Sequence, residues 1–263
     1  MLESLFGLSL GQFLDFILVF VRILAWLLVA PVFGSRVIPT QVKVLLSLFC
    51  SVTLLPIVKS GASVAEWSYS SLFFAAGQEM LVGLFLGFST RLIFEGFQFA
   101  GRLIGNQMGL GMAELVDPEN GAQASPIGNF LMMVGMVLFL QLDGHHVVVR
   151  AVYDSFRILP LYSGGGISRL ASEKLLRMFA QVFQIAIRLA APAMVTFFIL
   201  ELCLGIMARI APQMNIFFIG LPVRLALGLL VLMIALPVFY LLLSTAFSAW
   251  GHDIRQLLLI YRG

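Results

Sequence analysis

The chain has 263 residues, of which 60% are hydrophobic and 11% charged. Soluble domains average roughly 45–50% apolar and about 25% charged residues. With a mean hydropathy of +1.03, the composition excludes an ordinary water-soluble enzyme and a disordered chain. The 16 basic and 13 acidic residues give a net charge of only +3, so no nucleic-acid partner is expected. The chain must cover apolar surface with lipid, with other chains, or with both.

Apolar runs in chain order predict an all-α protein of long, kinked helices and helical hairpins. The six runs extend over 13–33, 44–58, 72–94, 130–142, 178–207 and 216–247. Only the last overlaps a long charge-free stretch, Leu225 to His252, which meets the criterion of about 20 apolar residues for a membrane-spanning helix. The fourth run is shorter than the roughly 17 residues that a spanning helix needs, so it is expected not to cross.

Five charged side chains lie inside or beside these runs: Asp15, Arg22, Glu79, Arg188 and Glu201. A charge at the centre of a bilayer costs roughly 2.5–3.5 kcal/mol on insertion scales. Asp15 and Arg22 share a helical face but are two turns apart, so each is expected to find partners on another segment. Two interpretations remain open, which are satisfied interhelical pairs and an aqueous path lined by these groups.

The distribution of basic residues does not fit a simple six-pass protein. The loop with Arg36 and Lys43 and the segment 143–177 are both basic, and both should be cytoplasmic. If every run crossed once, they would lie on opposite sides. Either some runs do not cross, or the chain is not a standard lipid-embedded bundle.

A turn-rich segment, Tyr162 to Ser168, predicts a boundary between residues 1–165 and 166–263. Ser172 and Glu173 then favour a helix start. The C-terminal part is expected to be a hairpin of two long helices joined by residues 211–215, because Pro212 cannot continue a helix cheaply and Asn215 is a good cap.

The segment from Gly101 to Asn129 is rich in glycine and contains Met108 and Met112. It lacks the Gly-x-x-x-x-Gly-Lys-Ser/Thr pattern of a nucleotide-binding loop. A long loop between apolar runs is often functional. The residues leave two possibilities, which are a plain connector and a re-entrant or pore-facing loop, because irregular backbone at membrane depth must face protein or water.

The sequence Asp143-Gly144-His145-His146 invites a metal or acid–base interpretation. Adjacent histidines on a helix point about 100° apart, however, so no metal, cofactor or catalytic role is expected, and turn and helix-start roles are favoured. Cys50 and Cys203 are interpreted as small buried hydrophobes. No recognisable catalytic triad or zinc-protease motif occurs, so the chain is not expected to be an enzyme.

An ordered set of motifs resembles the FliR/SctT family of flagellar and type III secretion export-gate proteins. The motifs are Ala30-Pro31-Val32-Phe33-Gly34-Ser35-Arg36-Val37-Ile38-Pro39, Glu79…Gly83…Gly87, Ala100-Gly101…Gln107-Met108-Gly109, Asp143-Gly144-His145-His146 with Ser155-Phe156-Arg157-Ile158-Leu159-Pro160, Ala191-Pro192, and Arg209 to Phe217. They extend over nearly the whole chain. The wording of Pro-Val-Phe-Gly-Ser and Asp-Gly-His-His favours the flagellar branch over the virulence injectisome branch.

The resemblance implies a non-enzymatic subunit of a cone-shaped export gate. Residues 1–165 would be a FliP-like part and residues 166–263 a FliQ-like helical hairpin. The implied partners are FliP-like, FliQ-like and FlhB-like subunits, unfolded export substrates and membrane lipid. The implied location is the bacterial inner membrane at the flagellar basal body, with part of the assembly raised toward the periplasm.

The resemblance also implies two groups of site residues. A pore plug at about 105–125 would include Gln107, Met108, Gly109, Leu110, Gly111, Met112, Asp117 and Pro118. Structural or interface motifs would include Arg22, Pro31, Gly34, Arg36, Pro39, Glu79, Asp143, Gly144, His145, Arg209, Pro212 and Asn215. The alternatives are a virulence secretion-gate subunit, a stand-alone transporter with a path lined by buried charges, and an intramembrane enzyme that uses Asp143, His145 and His146.

Overall fold

The computed structural model describes residues 10–35, 38–58, 69–111, 125–162 and 169–262. Within these ranges it contains seven helices and no strand, which confirms the all-α class. The helices are α1 (Leu10–Val29), α2 (Thr40–Leu54), α3 (Tyr69–Gln107), α4 (Pro126–Gln141), α5 (Gly144–Ile158), α6 (Arg169–Ile210) and α7 (Ile216–Arg262).

Four of these helices are long and apolar enough to cross a membrane, judged by length and composition. The candidate spans are Gly11–Val29, Ser70–Gln107, Leu176–Ile210 and Phe218–Gln256. The helix α4 does not qualify alone, in agreement with the expectation for the fourth apolar run, and counts only as a broken pair with α5. The chain is therefore a membrane-type helical protein.

The helix α3 continues beyond the third apolar run and includes Gly101 and Gly105. The interpretation of the segment as loop from Gly101 onward is therefore wrong for residues 101–107. A Cβ atom at position 101 would lie 2.5 Å from the Gly128 Cα atom, and one at position 105 would lie 2.7 Å from the Ser125 Oγ atom. These glycines allow α3 and the start of α4 to approach closely, rather than loosening the chain.

The helix α5 lies inside the basic segment 143–177 and has no apolar run of its own. Its buried face includes Val148, Ala151, Val152, Ser155 and Phe156, which recur at the 3–4-residue spacing of an amphipathic helix. Charged and histidine residues between them break the apolar run. Hydropathy alone therefore underestimates this helix, whereas its periodicity indicates it.

The described residues form two compact units. The first takes its residues from 1–92, 143–178 and 248–263. Its core is built on α1, of which Leu18, Val19, Ile23 and Leu27 are fully or almost fully buried. The helix α1 packs on α2 and, through Gly83 and its neighbours, on α3.

The second unit takes its residues from 93–142 and 179–247. Aromatic rings fill its core, with edge-on or tilted contacts whose centroids are 4.5–5.8 Å apart. The rings are those of Phe94, Phe97, Phe139, Phe239 and Phe247. Gly135 leaves space for the Phe239 ring, which would lie 3.5 Å from a Cβ atom there. Such pairs add about 0.5–1.5 kcal/mol each to the burial of their area.

The C-terminal helical hairpin is confirmed. The helix α6 ends at Ile210 and α7 begins at Ile216, and Pro212 and Asn215 lie in the connection, with the Phe218 N–H donating to the Asn215 carbonyl at 3.1 Å. The helix α6 begins at Arg169, three residues before the expected start. The boundary at 165/166 lies outside the described residues, and the two-part division stays a prediction. The expectation that both cysteines are buried is wrong, because Cys203 is exposed and Cys50 is half-buried; both are free thiols.

Candidate functional site

The start of the predicted plug is a regular helix end. The Leu110 N–H donates to the Gly105 carbonyl, and the Gly109 N–H donates to the Asn106 carbonyl, both at 3.0 Å. With a φ of 85° at Gly109, this is a Schellman motif. The left-handed backbone at this position strongly favours glycine. The sequence therefore ends α3 after Gln107.

Met108 anchors the residues that follow α3 to α7. Its side chain is 1% exposed and fills the space above Gly228, where a Cβ atom would lie 2.5–2.7 Å from the Met108 side-chain atoms. The next residue, Gly109, faces Leu221 of α7, because a Cβ atom at position 109 would lie 3.1 Å from the Leu221 Cδ1 atom. The flexible methionine side chain can adapt to the space that the missing side chain of Gly228 leaves, so the two segments pack closely. We name Met108 and Gly228 the Met108 socket.

The other end of the loop is also fixed. Ser125 occupies the N-cap position of α4, and its Oγ atom accepts a hydrogen bond from the Gly128 N–H at 3.3 Å. Pro126 follows at the first helical position, where its missing N–H costs nothing. Because Gly105 and Ser125 are neighbours, the end of α3 and the start of α4 lie side by side.

The predicted plug residues are only partly described. Gln107, Leu110 and Gly111 are partly exposed and lie at the mouth of the loop, whereas Met108 is buried within the chain. Met112, Asp117 and Pro118 lie outside the described residues. The assignment of the loop as a plug stays a prediction.

A buried polar network surrounds Arg22 of α1. Its guanidinium donates to the Glu79 carboxylate of α3 through Nε, to Ser155 Oγ at 3.3 Å and to the Leu159 carbonyl at 3.1 Å. It also lies 4.2 Å from the centroid of the Phe156 ring. Arg22 is 1% and Glu79 4% exposed. We name these groups the Arg22 network.

The Arg22 network settles part of the sequence hypothesis. As expected, Arg22 finds its partner on another segment and not at Asp15. Here a satisfied interhelical pair, and not a water-lined path, explains the two charges, because neither side chain reaches solvent in the chain. Ser155 and Leu159 belong to the Ser155–Pro160 motif on which the family resemblance rests, but the sequence did not predict their contact with Arg22. The periodicity of α5, which places Ser155 on the buried face, is the signal that could have indicated it.

Asp15 also has a partner on another segment. The Tyr162 hydroxyl donates to Asp15 Oδ1 at 3.0 Å. Burial, and then the neighbouring Asp15 carboxylate, raise the pKa of the Tyr162 phenol far above its usual value. The phenol therefore stays a neutral hydrogen-bond donor at physiological pH. This contact ties the segment after α5 to the start of α1.

Two glycines of α3 allow the backbone of α1 to approach. A Cβ atom at Gly83 would collide with the Arg22 carbonyl oxygen, and one at Gly87 would lie 2.9 Å from the Trp26 carbonyl oxygen. The spacing of four residues places both glycines on one face of α3. This close approach brings Glu79, one turn before Gly83, beside the Arg22 side chain.

The loop after α1 contains several of the motif residues. Pro31 and Gly34 lie in turns, and the Gly34 N–H donates to the Ala30 carbonyl at 2.6 Å. Pro39 occupies the N-cap position of α2, and Lys43 Nζ donates to the Ser35 carbonyl at 3.0 Å. Arg36 lies outside the described residues. The loop is held by local hydrogen bonds, which suits a structural role for these residues.

Asp143, Gly144 and His145 form the junction between α4 and α5. Asp143 has a positive φ of 55° and occupies the N-cap position of α5, and the Asp143 Oδ1 atom lies 3.3 Å from His146 Nδ1. This agrees with the predicted turn and helix-start role. The expectation that the two histidine rings diverge is wrong, because their centroids are 4.1 Å apart.

The junction brings together three side chains that could hold a metal ion. The candidate ligand atoms of Asp143, His145 and His146 lie within 4.8 Å of one another. The absence of a metal role stays a prediction.

An ion pair links the two helices of the α6–α7 hairpin. Arg224 of α7 lies 3.4 Å from the Glu201 carboxylate of α6, and the Leu204 Cδ1 atom would lie 3.3 Å from a Cβ atom at Gly220. Arg209 is exposed in the last turn of α6, where a cation is favourable for the helix dipole.

Comparison with protein families matches residues 13–250 to the family described as bacterial export proteins, family 1. The chain belongs to this family of bacterial export proteins. Three relatives are flagellar biosynthetic proteins FliR. The Bacillus subtilis (strain 168) protein is 31% identical over 92% of this chain and 94% of its own. The Pectobacterium carotovorum subsp. carotovorum protein is 35% identical over 83% of this chain and 82% of its own. The Escherichia coli (strain K12) protein is 31% identical over 82% of each chain.

Membership of the bacterial export proteins confirms the resemblance found in the sequence. The matched residues, 13–250, include part or all of each of the seven described helices. Only the first residues of α1 and the last residues of α7 lie outside the match. The names of the three relatives describe flagellar biosynthesis and not a catalysed reaction. This agrees with the expectation that the protein is not an enzyme.

Proposed function

We propose that this chain is a subunit of the flagellar type III protein export gate, forming part of the wall and the plug of a pore for unfolded flagellar proteins. The observation that carries the proposal is the similarity, over most of both chains, to flagellar FliR proteins. An all-helical chain with four candidate spans and many exposed apolar side chains supports a subunit that is covered by lipid and by neighbouring chains.

The proposed partners are FliP-like and FliQ-like subunits in a hetero-oligomeric cone, with an FlhB-like subunit at its base. The proposed location is the bacterial inner membrane within the flagellar basal body, with part of the cone raised toward the periplasm. The mixture of long apolar helices and interior charges supports this arrangement, because such charges are tolerated only against protein or water.

The function is tested by deletion of the gene in its own organism. We expect cells without the chain to lose flagellar filaments and to stop secreting hook and filament proteins, while the same proteins accumulate inside. A plasmid-borne copy should restore both. Normal flagella together with loss of injection into host cells would favour the virulence-gate alternative.

The plug is tested in the assembled gate. Removal of residues 109–121 leaves the two stems of the loop, which are already adjacent at Gly105 and Ser125, so the helices can stay in place. We expect increased ion leak across membranes that contain the gate. A leak equal to that of the intact gate would contradict the plug role.

The stand-alone transporter is the remaining alternative. The inward-facing Arg22 and Glu79 satisfy each other, which removes two of the charges that favoured a substrate path. Native mass spectrometry separates the two functions, because a gate subunit should copurify with several other chains. Solute uptake by the purified chain alone in vesicles would overturn the gate proposal.

A further inference from the structure

The Glu201–Arg224 pair lies on an incompletely covered apolar surface of the α6–α7 hairpin. The side chains are 50% and 32% exposed, and their closest atoms are 3.4 Å apart. Around them, Phe198 and Leu202 are 62% and 54% exposed. Both charged residues lie inside candidate membrane spans, Leu176–Ile210 and Phe218–Gln256. The pair is therefore a polar patch within an apolar surface.

The Arg22 network shows how the same chain satisfies an ion pair by itself. Arg22 has three hydrogen-bonding partners and a ring beneath its guanidinium. Arg224, in contrast, has a single polar contact among the described residues. A guanidinium has five N–H donors, and a carboxylate accepts about four hydrogen bonds. Most of the hydrogen-bonding capacity of the Glu201–Arg224 pair is therefore not used among the described residues.

Lipid tails cannot satisfy these groups. Glu201 lies about 14 Å along the helix axis before the end of α6 at Ile210, within the apolar candidate span Leu176–Ile210 and not at its end. Neither lipid tails nor apolar side chains offer a hydrogen-bonding partner to a charged group there. Gly205, one turn after Glu201, has no atom within 4 Å of a Cβ position, so the surface beside the pair admits the close approach of another helix.

We propose that the Glu201–Arg224 pair is the docking point for a helix of a neighbouring export-gate subunit. This helix presents a hydrogen-bond donor or cation to Glu201 and a carboxylate to Arg224, so that four groups form one network within an apolar interface. The proposal rests on the proposed function, since it requires that the chain assembles with other gate subunits. Beyond that function, the proposal specifies where one subunit contact lies, at the Glu201–Arg224 pair, and which charged groups form it.

The decisive variant is the exchange Glu201→Arg with Arg224→Glu. This double substitution keeps an ion pair within the hairpin but reverses the charges that a neighbour meets. A pair that only holds α6 to α7 tolerates the exchange. A pair that docks a neighbour does not, because like charges then face each other across the interface. The matched control is the exchange of Asp154 and Arg255, a pair 2.9 Å apart with Arg255 63% exposed.

The experiment co-expresses each variant with the FliP-like and FliQ-like subunits of the same organism and measures the assembled complex by native mass spectrometry. The Glu201/Arg224 exchange should lower the yield of complex by about 30-fold or more, whereas the Asp154/Arg255 exchange should leave it unchanged. A photo-crosslinking residue in place of Leu202 should link to a neighbouring subunit.

The outcomes separate the two proposals. If the unmodified chain forms no complex with the FliP-like and FliQ-like subunits, the proposed function fails and the docking point fails with it. If the complex forms and the Glu201/Arg224 exchange assembles normally, only the docking point is overturned. Crosslinking at position 202 to lipid alone also overturns it.

Discussion

At the residue scale, the strongest constraint is the buried pair of Arg22 and Glu79. A buried pair need not be more stable than apolar side chains of the same volume, but loss of one partner leaves a desolvated charge. Arg22 would keep its bonds to Ser155 and Leu159 without a counter-charge. The pair therefore makes the register between α1 and α3 specific, because any shift separates the two charges.

Glu79→Ala should destabilise the folded chain by about 3–5 kcal/mol, as expected for a broken buried ion pair. Glu79→Gln should lower the free energy of unfolding by less, since the amide oxygen still accepts a hydrogen bond from Arg22. The measurement is the thermal unfolding midpoint of the detergent-purified complex. Arg150→Ala, at an exposed residue, is the control and should change stability by no more than about 0.5 kcal/mol.

The double substitution Arg22→Met with Glu79→Met provides a second comparison. Both charges are removed together, so no unpaired group remains, and the loss should be smaller than that of Glu79→Ala. This account of the network would be contradicted if the double variant lost more free energy of unfolding than the two single variants lose in total.

The residue scale also shows what the sequence could and could not predict. The charge pattern predicted that Asp15 and Arg22 have partners on other segments, and both do. It could not identify those partners, because Glu79 and Tyr162 are distant in sequence and periodicity reports only the face of a helix. The Met108 socket was equally inaccessible, since a glycine at position 228 indicates space but not which side chain occupies it.

At the element scale, Gly83 and Gly77 of α3 form a matched pair. Both are helical, but a Cβ atom at Gly83 would collide with the Arg22 carbonyl, whereas nothing lies within 4 Å of one at Gly77. Alanine in a helix interior is normally favourable by about 0.5–1 kcal/mol relative to glycine. Gly77→Ala should therefore stabilise the protein slightly.

Gly83→Ala should have the opposite sign. The atom that the new methyl group meets is backbone, which cannot move aside as a flexible side chain can, so α1 must shift and the loss should be about 1–3 kcal/mol. Thermal unfolding of the two variants gives the comparison directly. Equal midpoints for Gly83→Ala and Gly77→Ala would show that the helices do not pack as closely as described.

The Met108 socket connects an element to the proposed plug. Gly228→Leu should displace the Met108 side chain, because the new side chain occupies the same space, and should increase ion leak through the assembled gate. Met108→Ala in addition should reduce the overlap and lower the leak again. Gly77→Leu is the control at an open position. If Gly228→Leu left the ion leak unchanged, the Met108 socket would have no part in keeping the gate closed.

At the scale of the whole molecule, composition predicted the class of protein more reliably than it predicted the elements. Long apolar runs indicated the helices α1, α3, α6 and α7, but not where α3 ends or that α5 exists. Gly101 lies inside α3, where it allows close contact with Gly128, and a glycine-rich sequence does not distinguish such a contact from a flexible loop. Interior charges correctly indicated that part of the apolar surface faces protein.

The last prediction concerns the chain without its neighbours. Much of α6 and α7 remains uncovered, with Met233, Ile234 and Ile210 68–77% exposed, and the Glu201–Arg224 pair lies among such residues. Lipid can cover the apolar part but not the charges. We therefore expect the chain expressed alone to be degraded several-fold faster than the chain expressed with FliP-like and FliQ-like subunits, as followed by immunoblot after translation is stopped. The Asp154/Arg255 exchange should retain protection by these subunits, whereas the Glu201/Arg224 exchange should lose it. Equal half-lives with and without the other subunits would show that the membrane alone is sufficient to cover the chain.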